Sequence, residues 1–412
     1  MLLIFSVFYI AKIGSHQETI KGTSGTDSTT RVESVEEDAQ PVEIQLSASD
    51  SQQKKTSSGA NRKKPVKKET GPKETLLFAS DYQYEKGWAQ PEETYVNIIN
   101  TIQNDGKEIT GVLMCGDYSN EPKQYNHQIS PELTIKRIKQ VSLDACSSLS
   151  EEKLIFVQGN HDAMCDEISE TGLHEYDNYL VYVLNTQYDF PWSQGKTEGA
   201  LATVEKAAQN MDKTLTALAE KGETRPIFIA GHVPLHYTAR VSSRHTTGDN
   251  LYSTKIFDVV NKAAENLDII YVFGHNHSKG WDCYLGGACV YKAIGDTLIL
   301  PEYDGSNNRA DSFHKEELKF TYLNAGYVGY YMNCSETELN NGSKEQYDVT
   351  DIELTETICE IYDDKLVLTR YDKNGVHNIG SDGCANPYKN DERLIPDSFY
   401  NHAVRSSQTL YR

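Results

Sequence analysis

The sequence predicts an α/β fold in which two mixed β-sheets pack as a sandwich flanked by helices. Up to about residue 277, short apolar runs of strand length alternate with segments of helical periodicity, which is typical of sheets covered by helices. Beyond that point, segments 281–300, 318–332 and 350–372 are rich in Tyr, Val, Ile and Thr. Gly-containing turns lie among these segments, so they predict antiparallel strands that complete a second sheet packed on the first.

Five apolar runs predict strands that are buried on both faces, because each is short and ends at Gly or a polar residue. In chain order they are 76–78, 112–115, 154–157, 227–230 and 269–273. Helices are predicted between them. One opens at Pro91, one covers 201–218, and one carries Ile256 and Phe257. The clearest begins at Ser130-Pro131, where Ser caps the helix and Pro takes its first position.

Side chains that can bind metal ions follow each of these apolar runs. They are Asp81 and Gln83, then Asp117, then Asn160 with His161 and Asp162, then His232, and finally His275 with His277. Because the carboxyl ends of strands in an open α/β sheet converge on one crevice, we expect these side chains to lie together. Carboxylate, imidazole and amide ligands without sulfur suit Mn, Fe, Zn, Co or Mg. The sequence therefore predicts a site for two divalent metal ions, and two adjacent ions fit a phosphoester substrate best.

The order of these motifs closely resembles the calcineurin-like metallophosphoesterase superfamily over about residues 75–335. Members of that family read D-x-H, GD, GNH-D/E, a lone His and GH-x-H on a four-layer sandwich of two sheets and flanking helices. The resemblance implies that Asp81, Gln83 and His277 hold the first metal ion, that Asp117 bridges both, and that Asn160, His232 and His275 complete the second. It also implies that His161 protonates the leaving alkoxide or positions the phosphate, and that Asp162 orients its ring.

These features predict a dinuclear-metal-dependent phosphoesterase that hydrolyses a phosphomonoester or phosphodiester by attack of a metal-bridging hydroxide. Gln83 stands where the commonest form of the first motif has His, and its amide carbonyl is a weaker neutral ligand. This departure supports an alternative function, a catalytically degenerate member of the fold that serves as a binding or scaffold module at the cell surface. His236, four residues after His232, is a candidate substrate contact.

The sequence divides into four predicted regions. Residues 1–13 form an apolar run that predicts a signal or N-terminal anchor, with a buried strand as the alternative. Residues 14–74 are polar, with almost no large apolar side chains, and predict a disordered linker. Residues 75–385 are predicted to form the phosphoesterase domain with its antiparallel C-terminal strands, and residues 386–412 a C-terminal tail.

Charge and cysteine content limit the partners and the compartment. The formal net charge of −20 argues against a stable nucleic-acid partner, since phosphate backbones attract basic surfaces. We expect a small phosphoester substrate, an extracellular or outward-facing membrane-anchored location with a tether through the N-terminus, and otherwise a monomer or an assembly that the sequence leaves open. The eight cysteines contain no C-x-x-C pair, which disfavours a zinc ribbon, while Cys283 and Cys289 can bridge in an oxidising compartment.

Overall fold

The computed structural model of the protein describes residues 71–84, 90–119, 130–185, 198–235, 252–275, 291–302, 312–329, 354–376 and 407–412. All of them belong to one compact unit that begins at Lys67. The predicted anchor at 1–13 and most of the predicted linker at 14–74 lie outside the described residues. In these described ranges, no helix combines the length and the apolar character needed to cross a bilayer.

Helices and strands occur close to where the apolar periodicity predicts them. The strands are β1 (Glu74–Ala79), β2 (Gly111–Met114), β3 (Leu154–Phe156), β4 (Gly172–Glu175), β5 (Leu180–Leu184), β6 (Ile227–Gly231), β7 (Ile269–Phe273), β8 (Tyr291–Lys292), β9 (Thr297–Glu302), β10 (Ser312–Glu317), β11 (Thr321–Asn324), β12 (Gly326–Tyr327), β13 (Thr355–Ile361), β14 (Lys365–Asp372), β15 (Gly375–Val376) and β16 (Ser407–Tyr411). The helices are α1 (Gln90–Asn104), α2 (Pro131–Ala145), α3 (Glu198–Glu220) and α4 (Thr254–Ala263), and a short 3₁₀ turn precedes β3.

The first sheet has the strand order β15-β14-β13-β1-β2-β3, with β12 beside β13 and β16 beside β14. Strands β1, β2 and β3 run parallel to one another, and their registers place Ala79, Met114 and Phe156 level with each other. Strand β13 pairs antiparallel with both β1 and β14. The carboxyl ends of β1, β2 and β3 therefore lie side by side at one edge of this sheet.

The second sheet has the order β4-β5-β6-β7-β11-β8. Strands β5, β6, β7 and β11 are parallel, whereas β4 and β8 pair antiparallel at the two edges. Strands β9 and β10 form a separate antiparallel pair. In the register of β6 and β7, Ala230 lies opposite Val272, so the chain leaves both strands at neighbouring points.

Three apolar clusters arrange these elements in four layers. The cluster between the sheets takes residues from both, among them Phe78, Phe228 and Ile270. Helices α1 and α2 pack on the outer face of the first sheet. Helices α3 and α4 pack on the outer face of the second. The predicted sandwich of two mixed sheets flanked by helices is confirmed.

The predicted start of α2 is also confirmed. The hydroxyl of Ser130 accepts a hydrogen bond from the backbone N–H of Leu133 at 3.3 Å, and Pro131 takes the first helical position. This hydrogen bond pairs one of the free backbone N–H groups in the first turn of the helix. Proline has no backbone N–H, so it leaves none unpaired at the first position. The apolar residues Ile135 and Ile138 of α2 are fully buried.

Three features of the C-terminal part differ from the sequence prediction. Strand β11 runs parallel to β7 in the second sheet, and β13 and β14 extend the first sheet rather than the second. A short strand buried on both faces has the same apolar pattern in either direction, so the sequence contains no signal for its partner. Strand β16 lies within the segment 386–412 that was predicted as a tail, and it pairs with β14.

Candidate metal centre

The predicted ligands follow strands from both sheets, and the structure brings the ends of these strands together. Asp81 and Asp117 follow β1 and β2, while His232 and His275 follow β6 and β7. Potential ligand atoms of Asp117, His232 and His275 all lie within 4.8 Å of one another. Strands β2, β6 and β7 therefore each bring one side chain to this cluster.

Two glycines make this convergence possible because neighbouring backbones approach too closely for a side chain. A Cβ atom at Gly159 would collide with Oδ1 and the backbone nitrogen of Asp117. A Cβ atom at Gly274 would collide with the hydroxyl of Ser80 and would lie 2.8 Å from Asp81 Oδ2. The Gly in each motif thus has a steric reason, which is close packing of one strand end against the next.

Backbone strain is concentrated at the predicted ligands. In the described parts of the chain, the non-glycine residues with positive φ are Asp81 (+54°), Gln83 (+43°), Asp117 (+58°) and His275 (+67°). Side chains other than those of glycine adopt this left-handed region uncommonly, and the strain persists only where surrounding contacts enforce it. All four of these strained residues are predicted metal ligands, so the unfavourable backbone conformations are concentrated at one site.

The orientation of the His232 ring is fixed by a hydrogen bond at Nδ1, the nitrogen that faces away from Asp117. Its Nδ1 lies 2.6 Å from the carbonyl oxygen of Cys115, which only accepts hydrogen bonds, so Nδ1 carries the proton. In the neutral ring Nε2 then holds a lone pair. This atom lies 3.1 Å from Oδ2 of Asp117 and 2.9 Å from Oδ1 of Asn160. Three electron-pair donors therefore face one another in a buried space.

The proximity of Asp117 and His232 shifts the pKa of each group. Burial alone would lower the pKa of His232, but the adjacent Asp117 carboxylate raises it to about 9. Burial alone would raise the pKa of Asp117, but His232 and His161 hold it well below its usual range. Asp117 is thus ionised at neutral pH, and in the absence of a cation a proton on Nε2 of His232 offsets its charge.

These donor atoms fit a divalent cation. A cation that accepts lone pairs from Asp117 Oδ2, His232 Nε2 and Asn160 Oδ1 satisfies all three at once, whereas one proton satisfies only part of the set. The set contains nitrogen and oxygen but no sulfur, which matches Mn, Fe, Zn, Co or Mg rather than a thiolate-bound structural zinc.

Asp117 is held by its neighbours on its other oxygen and on its backbone. Its Oδ1 accepts a hydrogen bond from the backbone N–H of His161 at 2.9 Å. The Asp162 carboxylate accepts from the backbone N–H groups of Asp117 at 2.7 Å, Tyr118 at 2.9 Å and Gly159 at 2.9 Å. Three such bonds fix the loop after β2, so the Oδ2 lone pairs of Asp117 point toward His232.

The prediction that Asp162 orients the ring of His161 is wrong. Both carboxylate oxygens of Asp162 are bonded to backbone N–H groups, and neither reaches the imidazole. The turn that begins at Gly159 directs the two consecutive side chains apart, with Asp162 buried and His161 partly exposed. Asp162 therefore fixes the backbone of Asp117 and the surrounding loop.

His161 lies at the open side of the cluster. Its side chain is 21 % exposed, and its Nε2 lies 3.8 Å from Oδ2 of Asp117. Its Nδ1 has no hydrogen-bond partner among the described residues. Nδ1 itself is buried, whereas the exposed part of the ring lies close to the predicted ligand set and can contact a bound molecule, which the predicted role of proton donor requires.

Asp81 and Gln83 lie against the backbone that leads to Asp117. The backbone N–H of Gln83 donates to the Asp117 carbonyl at 2.8 Å, and the N–H of Asp81 donates to the Gly116 carbonyl at 2.9 Å. Oδ2 of Asp81 accepts from the backbone N–H of His275 at 2.9 Å. These contacts place the first motif against the second. The predicted ligand His277 and the predicted substrate contact His236 lie outside the described residues.

Two contributors to the site were missed in the sequence. The Cys115 carbonyl, which accepts from both His232 and the hydroxyl of Ser80, is a backbone group, and no sequence pattern marks it. Asn324 ends strand β11, and its side-chain amide donates to the Gly274 carbonyl at 3.4 Å. The other site residues are also polar residues that end an apolar strand. The same sequence pattern therefore marks Asn324.

Comparison with known proteins gives one family match. Residues 75–279 match the family described as calcineurin-like phosphoesterase. No curated protein matches the sequence. A crystal structure of a conserved uncharacterized protein, a predicted phosphoesterase from Streptococcus pneumoniae TIGR4, is 10% identical with a TM-score of 0.29, and the match covers 82% of this chain and 98% of that one. A metallophosphoesterase from Sphaerobacter thermophilus is 11% identical with a TM-score of 0.22, over 70% and 83% of the two chains. At such TM-scores, the family match alone bears on function.

Proposed function

Because residues 75–279 belong to the calcineurin-like phosphoesterase family, we propose that this protein is a hydrolase that uses two divalent cations to cleave a phosphomonoester or phosphodiester. The observation that carries the proposal is the opposition of His232 Nε2 to Asp117 Oδ2 and Asn160 Oδ1, at 3.1 and 2.9 Å. Lone pairs directed at one buried point favour a cation there.

The proposed ligand sets share Asp117. One cation is held by Asn160, His232, His275 and Asp117, and the other by Asp81, Gln83, Asp117 and His277. When bound, such a pair polarises the phosphoryl group and lowers the pKa of a water molecule, which supplies the attacking nucleophile. The buried carboxylate of Asp117 suits the shared position because its backbone and its second oxygen are already fixed by hydrogen bonds.

His161 has the proposed role of acid. Its ring is partly exposed beside the ligand set, and its Nε2 lies 3.8 Å from Oδ2 of Asp117, so the ring can face the leaving oxygen of a bound ester. Protonation of that oxygen removes the negative charge that develops as the phosphorus–oxygen bond breaks. His236, which lies outside the described residues, is proposed to contact the substrate.

Hydrolysis of para-nitrophenyl phosphate and of its bis-ester tests the proposal. The full chain is treated with a chelator, and Mn, Zn, Fe, Co or Mg is then restored. We expect metal-dependent turnover that falls at least about a hundredfold in His161→Ala, within the range usual for loss of a general acid. The matched control is His174→Ala, because His174 lies away from the cluster and contacts the backbone carbonyl of Glu170.

The two esters also separate the substrate classes. Faster cleavage of the bis-ester indicates a phosphodiesterase, and faster cleavage of the monoester indicates a phosphatase. Metal binding without turnover of either ester would favour the degenerate binding module that Gln83 suggests. Turnover that survives complete chelation would contradict the proposed chemistry.

A further inference from the structure

A short segment beyond the family match connects the two sheets directly beneath the ligand set. This crossing segment, residues 324–329, leaves β11 of the second sheet and enters β12 of the first. The backbone N–H of Ala325 donates to the Phe273 carbonyl at 2.7 Å, and the N–H of Gly329 donates to the Asp81 carbonyl at 2.8 Å. The crossing segment is therefore bonded both to the strand that leads to His275 and to the ligand Asp81 itself.

The first residue of the crossing segment adds a side-chain contact to the same place. Asn324 is fully buried, and its amide donates a long hydrogen bond of 3.4 Å to the Gly274 carbonyl. Its Oδ1 accepts from the backbone N–H of Gly326 at 3.0 Å. Gly274 in turn donates its N–H to the His232 carbonyl at 2.9 Å. A displacement of Asn324 thus reaches the backbones of two further predicted ligands.

The crossing segment is packed without space to move. A Cβ atom at Gly329 would collide with the Asp81 carbonyl oxygen. A Cβ atom at Gly326, where φ is +135°, would collide with the Thr355 carbonyl oxygen of β13. Backbones in such contact transmit displacements rather than absorb them, because packed interiors have few voids.

A buried arginine holds the start of this segment. Arg370 lies on β14 and is fully buried, and one of its guanidinium nitrogens donates to the Asn324 carbonyl at 2.7 Å and to the Thr357 hydroxyl at 2.5 Å. A hydrogen bond from a charged donor is roughly twice as strong as a neutral one. The residue is therefore a rigid anchor rather than a packing side chain.

We propose that Arg370 is a positioning residue of the metal centre. Its bond to the Asn324 carbonyl fixes the crossing segment, and this segment sets the separation of Asp81 and His275, whose direct contact is the 2.9 Å bond from the His275 N–H to Asp81 Oδ2. The inference rests on the proposed function, since it assumes that the cluster binds cations. It assigns a role in metal binding to a residue that lies far outside residues 75–279.

The test measures cobalt binding to the full chain, because Co²⁺ reports both affinity and coordination geometry through its visible absorption spectrum. Arg370→Met removes the donor, Arg370→Lys keeps a charged donor, and Asn324→Ala removes the bond to Gly274 without touching the buried charge. Leu368→Ala is the control for Arg370, as a buried residue of the same strand that packs between the sheets. Asn261→Ala is the control for Asn324, because Asn261 is a buried Asn of α4 whose side chain likewise bonds two backbone groups, the Glu317 carbonyl and the Lys319 N–H.

We expect Arg370→Met and Asn324→Ala to bind Co²⁺ at least about tenfold more weakly and with an altered spectrum, as for other groups that support metal ligands. Arg370→Lys should recover part of the affinity, while both controls keep the wild-type affinity and spectrum even where they unfold at a lower temperature. If Arg370→Met fails to fold, Arg370→Lys and Asn324→Ala provide the comparison. Wild-type affinity and spectrum in Asn324→Ala and the Arg370 variants that fold would overturn this inference alone. A wild-type chain that binds no Co²⁺ would overturn the proposed function as well.

Discussion

His232 donates the proton of its Nδ1 to the backbone carbonyl of Cys115 over 2.6 Å, and this single contact decides what the other side of the ring can do. Since the carbonyl cannot donate, Nδ1 keeps its proton, and in the neutral ring it is Nε2 that has the lone pair facing Asp117 and Asn160. A metal-binding imidazole usually has its second nitrogen anchored in this way. The tautomer is thus set by the backbone just after strand β2, which belongs to the other sheet from the strand before the histidine.

Loss of His232 should therefore abolish tight metal binding. We expect His232→Ala to lower affinity for Mn²⁺ by at least about a hundredfold, because removal of a ligand costs more than loss of a supporting group. Titration calorimetry with the chelated protein measures the change. His174→Ala, which removes a histidine away from the cluster, should leave the affinity unchanged. Equal affinities in the two variants would show that the cation binds elsewhere.

Gly159→Ala should damage the site through sterics alone. The added methyl group would collide with Oδ1 and the backbone nitrogen of Asp117, so the loop after β2 must shift. We expect a loss of about 1–3 kcal/mol in the free energy of unfolding, the usual range for overpacking, together with weaker metal binding. Urea denaturation gives the first quantity and metal titration the second.

Gly199→Ala is the matched control for that substitution. Nothing lies within 4 Å of a Cβ atom at Gly199, which is in the first turn of α3. Alanine there should change stability by no more than about 1 kcal/mol and in the favourable direction, since it is the better helix former. If Gly159→Ala unfolds with the same free energy and binds metal with the same affinity as Gly199→Ala, then steric collision at position 159 does not shape the site.

Gln83→His should strengthen the weaker of the two proposed cation sites. The backbone at Gln83 has φ +43°, which His tolerates better than most residues, and imidazole is a stronger ligand than an amide carbonyl for Zn²⁺. We expect the wild-type chain to bind Zn²⁺ in two steps of unequal affinity, and the variant to bring the steps closer together. Calorimetric titration resolves them, and an unchanged second step in the variant would exclude Gln83 from the ligand set.

Glu74 should make folding stability depend on pH in the acid range. It is buried at the start of β1 and accepts hydrogen bonds from Lys153 at 2.9 and 3.0 Å, from Asn178 at 3.0 Å and from Thr110 at 2.6 Å. Burial alone would raise the pKa of its carboxyl group, but these bonds lower it below its ordinary value of 4.5. Because the folded pKa is the lower one, the stabilisation is complete above the unfolded value and is lost as pH falls through the folded value.

The variant Glu74→Gln measures that contribution. We expect it to unfold with about 1–3 kcal/mol less free energy at pH 7, since it leaves the Lys153 ammonium without its carboxylate, and the difference should shrink as pH falls below 4.5. Glu93→Gln, at an exposed position of α1, is the control and should show no such trend. A difference that is constant from pH 7 to the acid range would show that ionisation of Glu74 does not stabilise the fold.

The layers and the convergence of the strand ends were predictable because each depends on a local pattern. Apolar runs ended by Gly and a polar residue identified the strand ends of β1, β2, β3, β6 and β7, and parallel pairing brings such ends together without further information. The lack of space for a side chain at position 159 is also marked in the sequence, because a Gly precedes Asn160 in the motif.

The remaining features depend on contacts between distant segments. The turn that separates Asp162 from His161, the parallel direction of β11 and the bond from Arg370 to the Asn324 carbonyl are each decided by tertiary packing. A buried arginine on a strand has the same sequence appearance as an exposed one at alternating spacing, so its role emerges only once both sheets are in place.

Two cations that share Asp117 as a ligand are proposed to be required for turnover, and a stoichiometric titration tests this requirement most directly. The full chain is freed of metal, Mn²⁺ is added in fractions of an equivalent, and the initial rate of para-nitrophenyl ester hydrolysis is recorded at each addition. We predict no activity at the start and a rise that reaches its plateau at about two equivalents, as expected for a two-metal mechanism. Activity that is complete without added metal, or absent although two equivalents are bound, would contradict the account.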